Sequence, residues 1–189
     1  MLKKIDPNIE YGDYSYGMEN IKVLHANEGY KVVIGKFCSI AKNIKVFIGA
    51  NHRTDFVSTY PFGHLKRNQS KKIIKTPAIL GHPSSNGDVI IGNDVYIGFN
   101  ATIMSGIKIG HGSVIAANSH VSKNIPPYEI WGGNPAKRIK KRFSNEIIKE
   151  LLLIKWWDYH EEKIREIIPF LSSKISNLQI KKIKSILKN

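Results

Sequence analysis

From Val89 to Arg138 the chain repeats in sixes. Ile91, Ile97, Ile103, Ile109, Ile115 and Val121 fall six residues apart without a slip. The residue after each is mostly small: Gly92, Gly98, Gly110, Ala116 and Ser122. Four positions beyond each aliphatic stands another apolar or small residue: Val95, Ala101, Ile107, Ser113, Ser119 and Ile125. An α-helix repeats at about 3.6 residues and a strand at about 2, so a sustained six fits neither alone. It predicts a parallel β-helix of hexapeptides, with short flat strands joined by tight corners and coils stacked into a prism. The aliphatics are expected inside. The small residues are expected at the turns, where glycine accepts positive φ.

The same beat appears earlier, at Ile34-Gly35, Ile40-Ala41 and Val46, with Cys38 at a small position of its hexapeptide. Cys38 reads as buried filler rather than a reactive thiol. The beat stops over residues 50–88. That stretch holds three of the seven histidines, three prolines and a basic run from Lys66-Arg67 to Lys75. Phe56, Tyr60 and Phe62 within it predict a packed excursion from the prism. Residues 1–30 are rich in turn residues and tyrosines, and are expected to form an N-terminal cap and a first irregular coil. The β-helix domain is expected over 31–138 and a helical segment over 139–189. Ile147, Leu151, Ile154 and Trp157 form a helical stripe. Asp158 to Glu161 reads as a capping box opening a second helix that Pro169 stops near Ile168. Ile175 to Lys188 reads as a basic amphipathic helix.

Composition limits the class. Hydrophobic residues at 42% suit a globular chain, and the net charge of +14 calls for a polyanion somewhere: nucleic acid, an anionic membrane or a phosphorylated cofactor. Fourteen Lys/Arg against six Asp/Glu fall in residues 137–189. A single cysteine excludes an intrachain disulfide and points to a reducing compartment. The N-terminus lacks the apolar run of a secretory signal and no run is long enough to span a bilayer, so a cytoplasmic protein without membrane insertion is expected. No nucleic-acid-binding motif accompanies the charge, and nucleic acid is not expected as a partner.

A prism of hexads has no cleft, so ligands are expected along an edge, between subunits or under the excursion. His52 sits where the beat breaks, flanked by Asn51 and Arg53 with Asp55 close by. Position alone leaves a general base and an ordinary surface histidine both open. His64 and His82 read as ordinary loop histidines. His111 and His120 are nine apart and do not match the close pair plus third histidine of a shared metal site, so no metal is expected. Lys137-Arg138 to Lys140-Lys141-Arg142 reads either as a solvated charge run or as a phosphate clamp at the end of the prism.

Four segments carry a family resemblance: IGKFCSIA (34–41), GANHRTDFVSTYPF (49–62), GHPSSNGDVIIGNDVYIG (81–98) and WGGNPAKRIKKRF (131–143). Together with WWDYHEEKI (156–164) they resemble the xenobiotic acetyltransferase branch of the hexapeptide acyltransferases. That branch includes chloramphenicol and streptogramin acetyltransferases and relatives in surface-polysaccharide pathways. The resemblance implies a left-handed parallel β-helix, a homotrimer with active sites at subunit interfaces, and acetyl-CoA as donor. It implies His52 as catalytic base. It implies donor contacts at Ser105, Gly106, Ala117, Ser122, Lys123, Pro135, Ala136, Lys137 and Lys140, with Arg138 a further candidate. A backbone N–H of Ser105 or Gly106 is expected to meet the developing oxyanion, and Asp55 or a backbone carbonyl to orient the His52 ring. Where the family often has tryptophan, this chain has Phe56. The wording of the first two segments is closer to the polysaccharide members, so the expected acceptor is a carbohydrate hydroxyl. An antibiotic hydroxyl is the alternative, a nucleotide-linked amino sugar the third reading, and a basic solenoid scaffold the non-enzymatic one.

Overall fold

The computed structural model describes residues 4–25, 29–66 and 68–188. Arg67 of the basic run lies outside the described residues. Among the described residues thirteen short strands form three sheets. The first holds β1 (Ile9–Tyr11), β3 (Val32–Ile34), β6 (Val89–Ile91) and β9 (Lys108–Ile109). The second holds β4 (Ser39–Ile40), β7 (Tyr96–Ile97), β10 (Val114–Ile115), β12 (Glu129–Gly132) and β13 (Lys137–Lys141). The third holds β2 (Ile21–Leu24), β5 (Ile44–Phe47), β8 (Thr102–Ile103) and β11 (His120–Val121). The chain visits them in rotation, and every pairing is parallel except β12 with β13. Ile91 partners Ile109, Ile97 partners Ile115 and Ile103 partners Val121, three hexads on in each case. Residues 9–24 make a full turn of this kind through β1, a Tyr16–Ser39 bridge and β2.

The hexad aliphatics fill the interior. Ile34, Ile40, Val46, Ile91, Ile97, Ile103, Ile109, Ile115 and Val121 are each at most 2% exposed. Each such side chain contributes about 1.5–3 kcal/mol by leaving water. Two serines share that interior with their hydroxyls satisfied: Ser113 donates to Pro126 O at 2.9 Å and Ser119 to Ala116 O at 2.6 Å. Cys38 is fully buried, and burial raises its thiol pKa, which keeps it an unreactive thiol.

The corners differ from the expectation. After seven of the nine hexad aliphatics the third residue is left-handed: Phe37, Asn43, Asp94, Asn100, Gly106, Gly112 and Asn118, with Tyr128 in the same place after Ile125. The glycines directly after the aliphatics do not take positive φ. They are small because the next coil lies against them: a Cβ on Gly92 would meet His111 N at 2.8 Å, and one on Gly110 would meet Pro127 N at 2.5 Å.

Three edges result. On the edge from first to second sheet, the C-terminal helices dock. Phe37 packs on Trp156 at 4.7 Å between ring centroids, His111 stacks on Trp157 at 4.8 Å, and Tyr14 Oη donates to Glu161 at 2.9 Å. The helices are α1 (Asn145–Ile154), α2 (Glu161–Leu171) and α3 (Asn177–Lys188). They share a second core of Leu151, Ile154, Trp157, Ile164, Ile167, Ile180 and Ile183. The amphipathic face of α3 is spent on this packing. The expected capping box does not form: Asp158 lies in a 3-10 turn and His160 caps α2 without a side-chain bond. Pro169 does not stop α2 but lies inside it, two residues before its end at Leu171. On the edge from second to third sheet, Asn43, Asn100 and Asn118 bond to one another in a ladder, at 2.6 and 2.8 Å. The excursion leaves from the edge between third and first sheets.

Candidate active site

The excursion is closed at its neck. Asn51 and Ser84 exchange backbone hydrogen bonds of 2.7 and 2.8 Å as an antiparallel bridge, so residues 52–83 form a side branch whose ends meet. The neck is tied to the same edge of the next coil. Asn51 Nδ2 and the Asn86 N–H both donate to the buried Ser105 Oγ, at 2.7 and 3.3 Å. Gly106 N–H donates to Gly87 O at 2.9 Å, and a Cβ on Gly106 would meet Asn86 O at 2.4 Å. Gly106 is therefore required for close approach, with φ at +73°, and its N–H is not available as an oxyanion donor.

His52 is the first side chain beyond the neck, and it is exposed. Its Nδ1 lies 2.7 Å from Thr59 O. A carbonyl only accepts, so Nδ1 carries the hydrogen, and in the neutral ring Nε2 keeps its lone pair facing away. Of the two orienters the sequence left open, the backbone carbonyl is the one in place. Asp55 is engaged elsewhere: its Oδ1 accepts from Arg53 Nε at 2.7 Å and its second oxygen pairs with Arg53 Nη2. The bond from Arg53 holds the Asp55 carboxyl at about 2. Phe56 lies under the same guanidinium, 4.7 Å from its ring centroid.

His82 is the residue that sequence reasoning missed. It is buried, at 1% exposure. Its Nδ1 accepts the Arg53 N–H at 3.0 Å, so its hydrogen is on Nε2, which lies 3.0 Å from the same Thr59 O. The His52 and His82 rings meet edge to face, with centroids 5.2 Å apart. No periodic spacing links positions 52, 59 and 82, and nothing in the sequence pairs them. His64 donates to Ile79 O at 2.8 Å within the loop.

The expected donor-binding residues fall on two edges and one turn. Ser105, Gly106, Ser122 and Lys123 lie on the edge that carries the excursion, on successive coils. Ala117 lies on the next edge, beside the asparagine ladder. Pro135 and Ala136 belong to a turn laid along β11: His120 N–H donates to Gly133 O, and Ala136 N–H to His120 O at 2.8 Å. Lys137, Arg138 and Lys140 belong to β13, a strand the sequence reading took for a charge run or clamp. Of that tract, Arg138 pairs with the buried Glu129 at 3.5 Å, which also accepts from Trp131 Nε1 at 2.7 Å. Lys141 bonds Asn145. Arg142 turns inward to Gly112 O at 2.6 Å and Asp94 at 3.4 Å, over the rings of Tyr128 and Phe143. Arg142 thus joins the Gly112 and Asp94 corners to the Tyr128 and Phe143 rings. The exposed side chains of Lys123, Lys137 and Lys140 have no ion pair among the described residues. The described residues contain no group of three or more His, Cys, Asp or Glu placed to hold a metal ion, and no helix among them is long and apolar enough to cross a membrane.

Residues 88–123 match the family model described as bacterial transferase hexapeptide (six repeats). A probable macrolide acetyltransferase of Lysinibacillus sphaericus is 48% identical over 156 residues, covering 82% of this chain and 84% of that protein. A chloramphenicol acetyltransferase of Escherichia coli is 41% identical over 181 residues, covering 89% of this chain and 84% of that protein. Among solved structures, a hexapeptide-repeat acetyltransferase from Vibrio cholerae O1 biovar eltor complexed with acetyl-CoA is similar with a TM-score of 0.51 and 26% identity, over 73% of this chain. A galactoside acetyltransferase in complex with coenzyme A is similar with a TM-score of 0.50 and 26% identity, over 75%. The chain spans 62% and 58% of those two solved chains. Alignment at such identities over more than four fifths of its length makes the chain a member of the bacterial hexapeptide transferase family, and an acetyltransferase.

Proposed function

We propose that the chain acetylates a hydroxyl of a small natural product directly from acetyl-CoA, with His52 as general base. The observation that carries this reading is the Nδ1–H bond to Thr59 O, which commits one ring nitrogen and leaves Nε2 as the acceptor of a proton. Acetyl-CoA supplies the acetyl group as a thioester, and the new C–O bond forms as the C–S bond breaks. His52 Nε2 takes the acceptor hydroxyl's proton and passes it to the departing thiolate. Thr59 O stabilises the imidazolium held in between. Help of this kind is worth about 10²–10⁴-fold. Cys38, buried and protonated, takes no part.

The residues fit the donor. With Ser105 buried and Gly106 packed against Asn86, the exposed Ser122 is the small corner residue on their edge along which a pantetheine arm would run, and Lys123, Lys137 and Lys140 offer cations to its phosphates. Ala117 lies on a different edge from His52. A homotrimer of left-handed β-helices would bring the asparagine-ladder edge of one copy against the excursion edge of its neighbour and complete the site between them.

The names of the two relatives favour an antibiotic acceptor, of the macrolide or chloramphenicol kind. A carbohydrate hydroxyl, the acceptor expected from the sequence wording, is the second reading, supported by the likeness to a galactoside acetyltransferase. A thiol-release assay with acetyl-CoA against chloramphenicol, a macrolide, a streptogramin, simple sugars and a nucleotide-linked amino sugar decides between them. His52→Ala is expected to lower kcat by about 10²-fold or more with acetyl-CoA binding intact. Wild-type turnover in that variant overturns the assignment.

A further inference from the structure

Resting on the reading of His52 as base, we infer that His82 is a positioning residue for it: one buried imidazole sets the distance between His52 and the carbonyl that orients it. The residues that need fixing are in a poor place for it. Residues 54–60 are exposed and belong to no strand or helix. The local bonds of this stretch are short-range, such as Tyr60 N–H to Ser58 Oγ at 3.1 Å and Phe62 N–H to Tyr60 O at 2.9 Å. Yet Thr59 O must stay where His52 Nδ1 can reach it. His82 comes from the return leg of the excursion, two residues before the Ser84 bridge that closes the neck. Its two ring nitrogens bond two points on the outgoing leg: Nδ1 accepts from Arg53 N–H, the residue after His52, and Nε2 donates to Thr59 O.

The backbone that carries His52 and the carbonyl that holds its ring are therefore both referenced to one rigid five-membered ring. Its fixed geometry replaces the missing ladder. The role needs one acceptor and one donor that diverge within a single rigid plane, and neutral imidazole supplies both. A glutamine at this position retains a donor toward Thr59. An asparagine retains an acceptor toward Arg53 and leaves Thr59 unheld. The Phe56 ring lies beside that of His82, tilted, with centroids 5.8 Å apart.

The test is steady-state kinetics on His82→Phe, His82→Gln and His82→Asn, with His52→Ala and the His52→Ala/His82→Phe double variant beside them. His82→Phe is expected to lose roughly tenfold to hundredfold in kcat, the range for a misplaced catalytic group, with KM for acetyl-CoA unchanged. His82→Gln recovers most of the loss and His82→Asn does not. The double variant is no slower than His52→Ala alone, because His82 acts only through His52. In ¹⁵N spectra the single Nδ1–H form of His52 gives way to mixed tautomers in His82→Asn. Wild-type kcat in His82→Phe overturns the inference. So does equal recovery by Gln and Asn, or a further loss in the double variant. Should the Phe variant not fold, the Gln–Asn contrast and the tautomer signal decide alone. Turnover surviving His52→Ala would instead sink the base assignment itself, whatever the His82 variants do.

Discussion

Asp55 stands three residues from His52 and was a natural candidate to orient it. Its bond to Arg53 removes it from that role, so Asp55→Asn is expected to keep kcat within about fivefold of wild type, in line with the small worth of exposed pairs. Stopped or steady-state assays read this directly, and a loss comparable to that of His52→Ala would restore Asp55 to the site. Gly110 makes the opposite case, a residue with no chemistry and little tolerance. A Cβ there would run into Pro127 at 2.5 Å, and Gly110→Ala is expected to cost about 1–3 kcal/mol in urea unfolding. At this scale the sequence was legible wherever period dictated position: the nine buried aliphatics could be named in advance. It was not legible where a contact joins residues with no periodic relation, as His82, Thr59 and Arg53 do. The corner glycines were read correctly as small and wrongly as twisted, because a six-residue beat shows where space is short but not which φ supplies the turn.

Among the elements, β13 and the helices carry the main surprises. Lys137 to Lys141 were read by charge, yet the Gly133–Ala136 turn sends them back antiparallel along β12, where Arg138 covers the buried Glu129. The helical stripe was legible; the partner it packs against was not, because Phe37, His111 and Tyr128 come from three separate coils. Trp157→Ala removes a side chain only 2% exposed and is expected to destabilise the helical layer by about 3–5 kcal/mol, seen as earlier proteolysis near Ser144. His111 adds a pH dependence. Burial lowers its pKa from the ordinary 6.5, with Asp158 opposing and Lys155 reinforcing that shift. The unfolded chain then binds the proton more readily, so stability is full above pH 6.5 and falls as pH drops from there toward the lower folded value. Asp94 runs the other way: burial raises its pKa above the ordinary 3.8, and its protonation at lower pH relieves the fold. Urea midpoints between pH 7.5 and 5.5 should therefore decline in the wild type and decline less in His111→Phe. An equal slope in both would assign the effect elsewhere.

For the whole molecule, the split of the candidate donor residues between two edges makes a specific demand. Chains carrying His52→Ala and chains carrying Ala117→Trp are each expected to be inactive alone. Co-refolded in equal amounts, they should regain about a quarter of wild-type activity, since half the subunits offer a sound base and half of their neighbours a sound second edge. No recovery would place the site within one chain. Among the described residues Lys31, Arg53, Arg138, Arg142, Lys163, Arg165 and Lys184 pair with acidic partners, so most of the lysines behind the net charge of +14 are held in no such pair.

The closed neck at Asn51 and Ser84 has a consequence for how such an enzyme acquires new acceptors. Because the two ends of the excursion already meet, lengthening or rewriting the branch between them adds closure entropy only slowly and leaves the register of the coils untouched. The proposed base, its carbonyl and its buried histidine ride together on that branch, while the proposed donor contacts stay with the coils. On the proposed reading, acceptor recognition and donor chemistry would then be inherited on separate lengths of chain. One can drift, or be exchanged as a cassette, without renegotiating the other.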